Sequence, residues 1–352
     1  MQARIEALRE QLRTEQLDGL LVTGASNRRY LTGFTGTAGV ALVTLEKAIL
    51  ITDFRYTDQA RNQASAFEVI QFDVSFVEQI AIECEKLGVK KLAFEQDHMT
   101  FTNFTAYKDK VQAELIPVSG YIENIRMVKS AEEIQIIRKA VEIADATFSH
   151  ILNFIKPGLT EKDVANEMEM FMRASGADCS SFDTIVASGH RGALPHGVAT
   201  TKVIEQGDMV TLDFGALYRG YRSDMTRTVA VGHPLAQLKE VYEIVLEAEL
   251  QTIAMLKPGV ACKDVDLFAH GYVEQNGYGF GHGTGHSLGV DLHEQPFFST
   301  KSENELVEGM IMTVEPGIYI PCVGGVRIED DVLITATGCE VLTRSPKELI
   351  LL

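Results

Sequence analysis

Cysteine is scarce in this sequence and its placement is informative. The five residues, Cys84, Cys179, Cys262, Cys322 and Cys339, are scattered and include no Cys-x-x-Cys. An odd, dispersed set argues against a disulfide framework and a zinc-thiolate site, and suits reduced thiols in a cytoplasm. Positive charge is also short. Lys and Arg number 32 against 49 Asp and Glu, for a net charge of −17. Nothing offsets phosphate repulsion, so neither nucleic acid nor an anionic membrane surface is expected as a partner. No stretch reaches ~18 apolar residues, so no membrane span is expected. The N-terminus spaces Ile5, Leu8 and Leu12 along one helical face and has no apolar core of signal-peptide type. The protein is expected to stay in the cytoplasm, where it is made.

What remains is a soluble globular composition, 45% hydrophobic and 23% charged, on a chain of 352 residues, for which two domains is the better expectation. Residues 1–122 alternate amphipathic segments with β-branched runs at Leu20–Val22, Val40–Val43, Ala48–Ile51, Val69–Ile70 and Leu92–Phe94. That alternation predicts an α/β domain. The stretch Thr52-Asp-Phe-Arg-Tyr56 reads as a strand end running into a helix. A linker-like segment from Pro117 to Asn124 follows, and the second domain is expected to span 123–352. Its first long helix opens on a capping box, Ser130-Ala-Glu-Glu133, and carries Ile134, Ile137, Val141, Ala144, Phe148 and Ile151 as one apolar stripe.

This second domain repeats itself. Lys156-Pro-Gly158 with Asp163, Gly207–Asp213–Gly215, and Gly220-x-Arg222-x-Asp224 recur in the same order roughly 100 residues later, as Lys257-Pro-Gly259 with Asp264, Gly309–Glu315–Gly317, and Gly325-x-Arg327-x-Glu329. Three collinear matches imply an internal duplication and a pseudo-two-fold domain. Each half contains a hairpin with an acid on each arm. If Leu217 and Gly220 flank a two-residue turn, Asp213 lies directly opposite Asp224, and facing carboxylates are destabilising unless a cation separates them. In the second copy Glu315 and Glu329 occupy the equivalent places. Packed face to face, the halves bring four carboxylates together. Arg327 and Arg222 are likewise equivalent, and each is positioned to orient the acid that follows it, Glu329 or Asp224.

Between the hairpins runs Phe280-Gly-His282-Gly-Thr-Gly-His286-Ser-Leu-Gly-Val-Asp-Leu-His293, which holds three of the nine histidines. It has no Gly-x-Gly-x-x-Gly spacing and no phosphate-loop Lys, so nucleotide binding is disfavoured. One histidine and four carboxylates form a hard, oxygen-rich ligand set. Such a set suits two divalent ions ~3.5–4 Å apart that share carboxylates and a bridging water or hydroxide. Mn²⁺ or Co²⁺ fits it better than a structural zinc, with Zn²⁺ and Fe²⁺ still open. The chemistry implied is amide hydrolysis.

Asp213, Asp224, the Gly-His-Gly-Thr-Gly-His286 run, Glu315 in Val-Glu-Pro-Gly and Glu329 in Val-Arg-Ile-Glu-Asp together resemble the metal-ligand series of the pita-bread metallopeptidases. Aminopeptidase P and prolidase, which cleave before proline, are the most similar members. The resemblance covers the whole chain, Thr52–Tyr56 included. It implies an N-terminal α/β domain followed by an α+β pita-bread domain, and an enzyme that hydrolyses the bond before proline in Xaa-Pro dipeptides or Xaa-Pro-initiated peptides. It also implies two divalent ions per chain, manganese ahead of cobalt or zinc, and a homodimer.

By position the five ligands are then Asp213, Asp224, His286, Glu315 and Glu329, with Glu315 also handling the proton of the attacking water. His196 and His293 match histidines that stabilise the tetrahedral intermediate, and His282 and Arg327 match substrate-side positions. Gly197 departs from the residues common after the first of these histidines, which alters pocket shape. The rival readings are a broader aminopeptidase of the same fold, a metal-free creatinase-like hydrolase and a non-catalytic peptide-binding module. The intact ligand series disfavours the last two.

Overall fold

All the apolar runs read from the first third of the chain fall in one sheet of the computed structural model, which describes Met1–Leu352. Its strands are β1 (Gly19–Val22), β2 (Val40–Thr44), β3 (Ala48–Thr52), β4 (Glu68–Gln71), β5 (Lys91–Glu95) and β6 (Glu114–Val118), in the order β4-β3-β2-β1-β5-β6. The first three pair antiparallel, whereas β4, β5 and β6 join in parallel. Helices between them complete the α/β unit. Pro117, read from sequence as linker, belongs to β6 opposite Phe94. An edge strand tolerates a residue without an N–H.

At the end of β3, Asp53 accepts from the Arg55 backbone N–H and guanidinium, and Tyr56 stacks edge-on against Phe34. The Thr52–Tyr56 stretch therefore does run from a strand into a helix, Thr57–Gln63. The chain divides into two compact units, Met1–Arg126 and Met127–Leu352, four residues beyond the boundary read from sequence.

In the second unit the Ser130–Glu133 capping box forms as expected and opens the helix Ala131–Ile151. Ile137, Val141, Ala144, Phe148 and Ile151 are buried, and Ile134 is partly so. The duplication is visible in hydrogen bonds. The Gly158 N–H donates to Ile204 O in the first half, as Gly259 N–H does to Leu306 O in the second. All of Gly158, Gly259, Gly207 and Gly309 take positive φ, where a side chain would be strained. Each half has a long helix, a shorter one (Glu161–Ala174 or Cys262–Gln275) and a hairpin.

The first half contributes β7 (Cys179–Ser180) and β8 (Ile185–Ser188), then a hairpin broken into β9 (Met209–Phe214), β10 (Ala216–Tyr218), β11 (Tyr221–Arg222) and β12 (Met225–Ala230). The second contributes β13 (Gly285–Ser287) and β14 (Glu294–Phe298). Its hairpin comprises β15 (Ile311–Val314), β16 (Gly317–Ile320), β17 (Gly324–Arg327) and β18 (Asp330–Ile334), followed by β19 (Cys339–Val341).

The first hairpin differs in register from the sequence expectation. Tyr218 pairs Tyr221, and the turn residues are Arg219 and Gly220, both at positive φ. A two-residue turn with both centres left-handed matches strand twist, and it moves the ladder by two residues. Asp213 consequently faces Thr226, with Asp224 its diagonal neighbour on the same face. In the second hairpin, the ladders on either side place Glu315 directly opposite Glu329. The halves meet edge to edge and not face to face. Thr226 and Glu329 form an antiparallel bridge in which Glu329 N–H donates to Thr226 O, and Thr228 Oγ donates to Arg327 O.

Candidate metal centre

The alternation of side chains along β12 and β18, joined by that bridge, sends the acids of both hairpins to one spot. The ligand atoms of Asp224, His286 and Glu329 lie within 4.8 Å of one another. His286 Nε2 is 3.5 Å from Glu315 Oε1 and 3.8 Å from Asp224 Oδ2. Its ring is set by Nδ1, which donates to Ser287 O, and this leaves the Nε2 lone pair facing the carboxylates. Asp213 lines the same cavity, but its carboxylate is engaged by Arg327 Nη2.

Each carboxylate is also aimed by a neighbour. Thr226 Oγ1 donates to Glu329 Oε2 at 2.6 Å, and Thr313 Oγ1 donates to Glu315 Oε1 at 3.3 Å. Asp224 has its backbone N–H on Asp331 Oδ2 at 3.0 Å. Arg327 holds several groups at once, since Nε reaches Thr226 Oγ1 and Nη1 reaches both Tyr319 Oη and Pro195 O. Sequence reasoning gave Arg327 a place beside the substrate or beside Glu329. Arg327 lines the cavity, and its guanidinium closes on Asp213 of the other half. Arg222, its repeat partner, donates to Val290 O and does not orient Asp224.

Burial makes this cluster electrostatically incomplete as a set of bare acids. Asp224 and Glu329 are pushed well above the carboxylate range, by burial first and by neighbouring carboxylates second. Burial raises Glu315 to about 7, and raises Asp213 against the pull of Arg327. His286 is lowered to about 4 by burial and then by His293. Asp224 Oδ1 and Glu329 Oε1 are buried with no hydrogen-bond partner. Orphaned carboxylate oxygens beside a neutral imidazole are the donors a hard divalent cation takes, so the residues present fit one.

A second trio, Glu95, His98 and Glu123 in the first unit, lacks this feature. Glu95 there is occupied by the N–H groups of Thr23 and Gly24 and by Asn27 Nδ2, and Glu123 also accepts from Asn27.

The cluster lies in a cavity of about 820 Å³ lined by Asp213, Asp224, His286, Glu315 and Glu329, together with His196, His282, His293 and Arg327. Phe182, Ile185, Leu292, Phe297 and Phe298 form its apolar wall. His196 follows the Gly189–Ala193 turn and is placed by the Pro195 O contact to Arg327. His282 donates through Nδ1 to Gly283 O and accepts at Nε2 from Tyr319, which itself accepts from Arg327. Thr226, Tyr319 and Asp331 take part in the site, and sequence reasoning assigned none of them a role. Thr226 and Asp331 each lie two residues beyond an acid, on the same strand face, and that spacing is the signal that was available.

Residues 135–336 match metallopeptidase family M24, and residues 4–128 match the creatinase/prolidase N-terminal domain. The chain is 40% identical to an Xaa-Pro dipeptidase of Pyrococcus horikoshii, covering 99% of both chains. It superposes on an Xaa-Pro dipeptidase from Bacillus anthracis with a TM-score of 0.98 at 51% identity, covering 100% of this chain and 99% of that one. An X-Pro aminopeptidase from Thermotoga maritima superposes with a TM-score of 0.90 at 37% identity, covering 97% of this chain and 100% of that one.

Proposed function

The chain belongs to metallopeptidase family M24, and from that premise we propose that it hydrolyses the peptide bond before proline, in Xaa-Pro dipeptides or in longer peptides that begin Xaa-Pro. The observation that carries the metal-dependent hydrolysis is the pair of orphaned oxygens, Asp224 Oδ1 and Glu329 Oε1, buried beside His286 in the cavity, and the preference for proline rests on the similarity to Xaa-Pro dipeptidases.

Asp213, Asp224, His286, Glu315 and Glu329 would hold two divalent ions, which supply an activated water and polarise the scissile carbonyl. The other steps fall to the side chains. Glu315, on the cavity wall beside the other acids, takes the proton of the attacking water and delivers it to the proline nitrogen. That nitrogen has no N–H of its own and departs only once protonated. His196 and His293 open onto the cavity and donate hydrogen bonds to the carbonyl oxygen as charge develops there. His282 and Arg327 border the substrate side, and the apolar wall receives the pyrrolidine ring. Arg327 keeps Asp213 aligned.

Manganese is the metal we assign, with cobalt or zinc as substitutes, because four of the five ligands are carboxylates. By the same reading the enzyme is a cytoplasmic homodimer that acts on peptide fragments. No helix is long and apolar enough to cross a membrane. The test compares Xaa-Pro, Xaa-Pro-Xaa and Met-Ala substrates on Mn²⁺-loaded protein. Cleavage of the proline substrates with Met-Ala spared is expected, and equal hydrolysis of Met-Ala would establish a broader aminopeptidase.

A further inference from the structure

Lys129 carries a buried charge that the mechanism above does not use. Its side chain is 1% exposed, and its Nζ donates to Ser287 Oγ at 2.8 Å and to Glu294 Oε2 at 3.3 Å. The lysine backbone is itself anchored. Its N–H donates to Gly309 O, and the next residue, Ser130, caps the helix Ala131–Ile151.

Ser287 and Glu294 are register partners on β13 and β14, so they share one face of the sheet. The residues just before them are His286 and His293, which by strand alternation project to the opposite face, where their rings meet edge-on at 4.4 Å between centroids. The pairing is irregular here. The register shifts between His286 and Ser287, so the ladder alone does not hold the two histidines in place. Glu294 also accepts from Asp291 N–H, and a side chain on Gly289 would collide with its carboxylate. The turn between the two histidines is thus built around Glu294.

We propose that Lys129 is a positioning residue, an ammonium behind the sheet that locks Ser287 to Glu294 and so fixes the separation of His286 and His293 on the cavity side. The inference rests on the reading of His286 as a metal ligand and of His293 as a substrate-side donor. One ammonium then serves both halves of the chemistry, the affinity for metal and the rate of the step.

Lys129→Met tests this alongside the double variant Lys129→Met/Glu294→Gln. The double variant removes both charges of this ion pair together, so it does not leave Glu294 charged opposite an apolar side chain as the single variant does. Three readouts are taken on protein shown to be folded by circular dichroism: Mn²⁺ affinity by titration calorimetry, the d–d absorption of the Co²⁺-loaded protein, and kcat against KM. In both variants we expect metal affinity to fall about 10- to 100-fold, the Co²⁺ spectrum to shift, and kcat to fall more than KM changes. A merely structural lysine would lower the Tm of the single variant, leave all three readouts of its folded fraction at wild-type values, and leave those of the double variant at the values of Glu294→Gln alone. That result overturns the proposal. Wild-type protein that binds no Mn²⁺ would instead sink the metal-centre reading beneath it.

Discussion

Arg327, on the return arm of the second hairpin, closes its guanidinium on the carboxylate of Asp213, at the end of the outgoing arm of the first. The pair spans the two halves of the duplicated domain. It occupies Asp213 from the side while Asp224 and Glu329 keep oxygens free. Arg327→Lys is therefore expected to be a damaging substitution. A single ammonium cannot reach Asp213, Thr226 and Tyr319 together, as the planar fork does. We expect kcat/KM to fall by about 10-fold or more in steady-state assays, with metal still bound. Wild-type kinetics in this variant would limit the pair to a structural role.

Glu329 stands at the bridge between the halves, with one oxygen held by Thr226 and the other unpartnered. Glu329→Gln removes the charge and substitutes an N–H₂ for a donor oxygen. Metal content per chain, measured by plasma emission, should drop. Activity should fall by more than the roughly 100-fold that loss of an outer hydrogen-bond partner costs. Prolonged chelation of the wild type should abolish Xaa-Pro cleavage, with recovery on adding Mn²⁺ or Co²⁺. Activity that survives chelation would remove the metal from the mechanism.

His293 lines the cavity, and in the proposed reading it meets substrate and does not bind metal. His293→Ala should keep its full metal complement and lose kcat by about 10²–10³-fold, the scale of one oxyanion donor. Loss of metal in this variant would reassign His293 as a ligand.

Stability against pH reports the crowding directly. Without a cation, Asp224 and Glu329 keep protons well above the ordinary carboxylate range, and Glu315 does so to about 7. Glu249, buried elsewhere in the unit, is raised to about 8. The native state then binds more protons than the unfolded state, so these groups lower stability as pH rises. The histidines act in the opposite sense. His282 and His286 are depressed to about 4, so their contribution grows with pH and is complete near the unfolded histidine value of about 6.5. Above that value only the carboxylates remain. The Tm of chelated protein should accordingly fall between about pH 6.5 and 8, and Mn²⁺ should raise it and release protons. Thermal melts with and without metal, and calorimetry in two buffers of different ionisation enthalpy, check both. A Tm that is flat or rising over this window in chelated protein would contradict the crowding.

Much of the first unit was legible because its strands are continuous β-branched runs, a signal that needs only local sequence. The sixth strand was not, because Pro117 reads as a breaker until an edge position is known to be available. The hairpin turn was misplaced by one residue for a related reason. Arg219 adopts positive φ, unusual for a side chain of its kind, and only the observed pairing of Tyr218 with Tyr221 reveals it. The acids survived this error, since moving the ladder by two residues leaves every side chain on its original face.

The sequence alone therefore determined the family, the duplication and which acids share a face, because strand alternation and repeat order are properties of the chain itself. It could not determine that the halves join along the Thr226–Glu329 seam, that Arg327 crosses to Asp213, or that Lys129 lies behind both histidines. Those contacts link residues far apart in the chain, and their partners are chosen by how two separately formed hairpins pack. Tertiary packing also left Asp224 Oδ1 and Glu329 Oε1 unpaired beside His286, where a metal is the partner that fits.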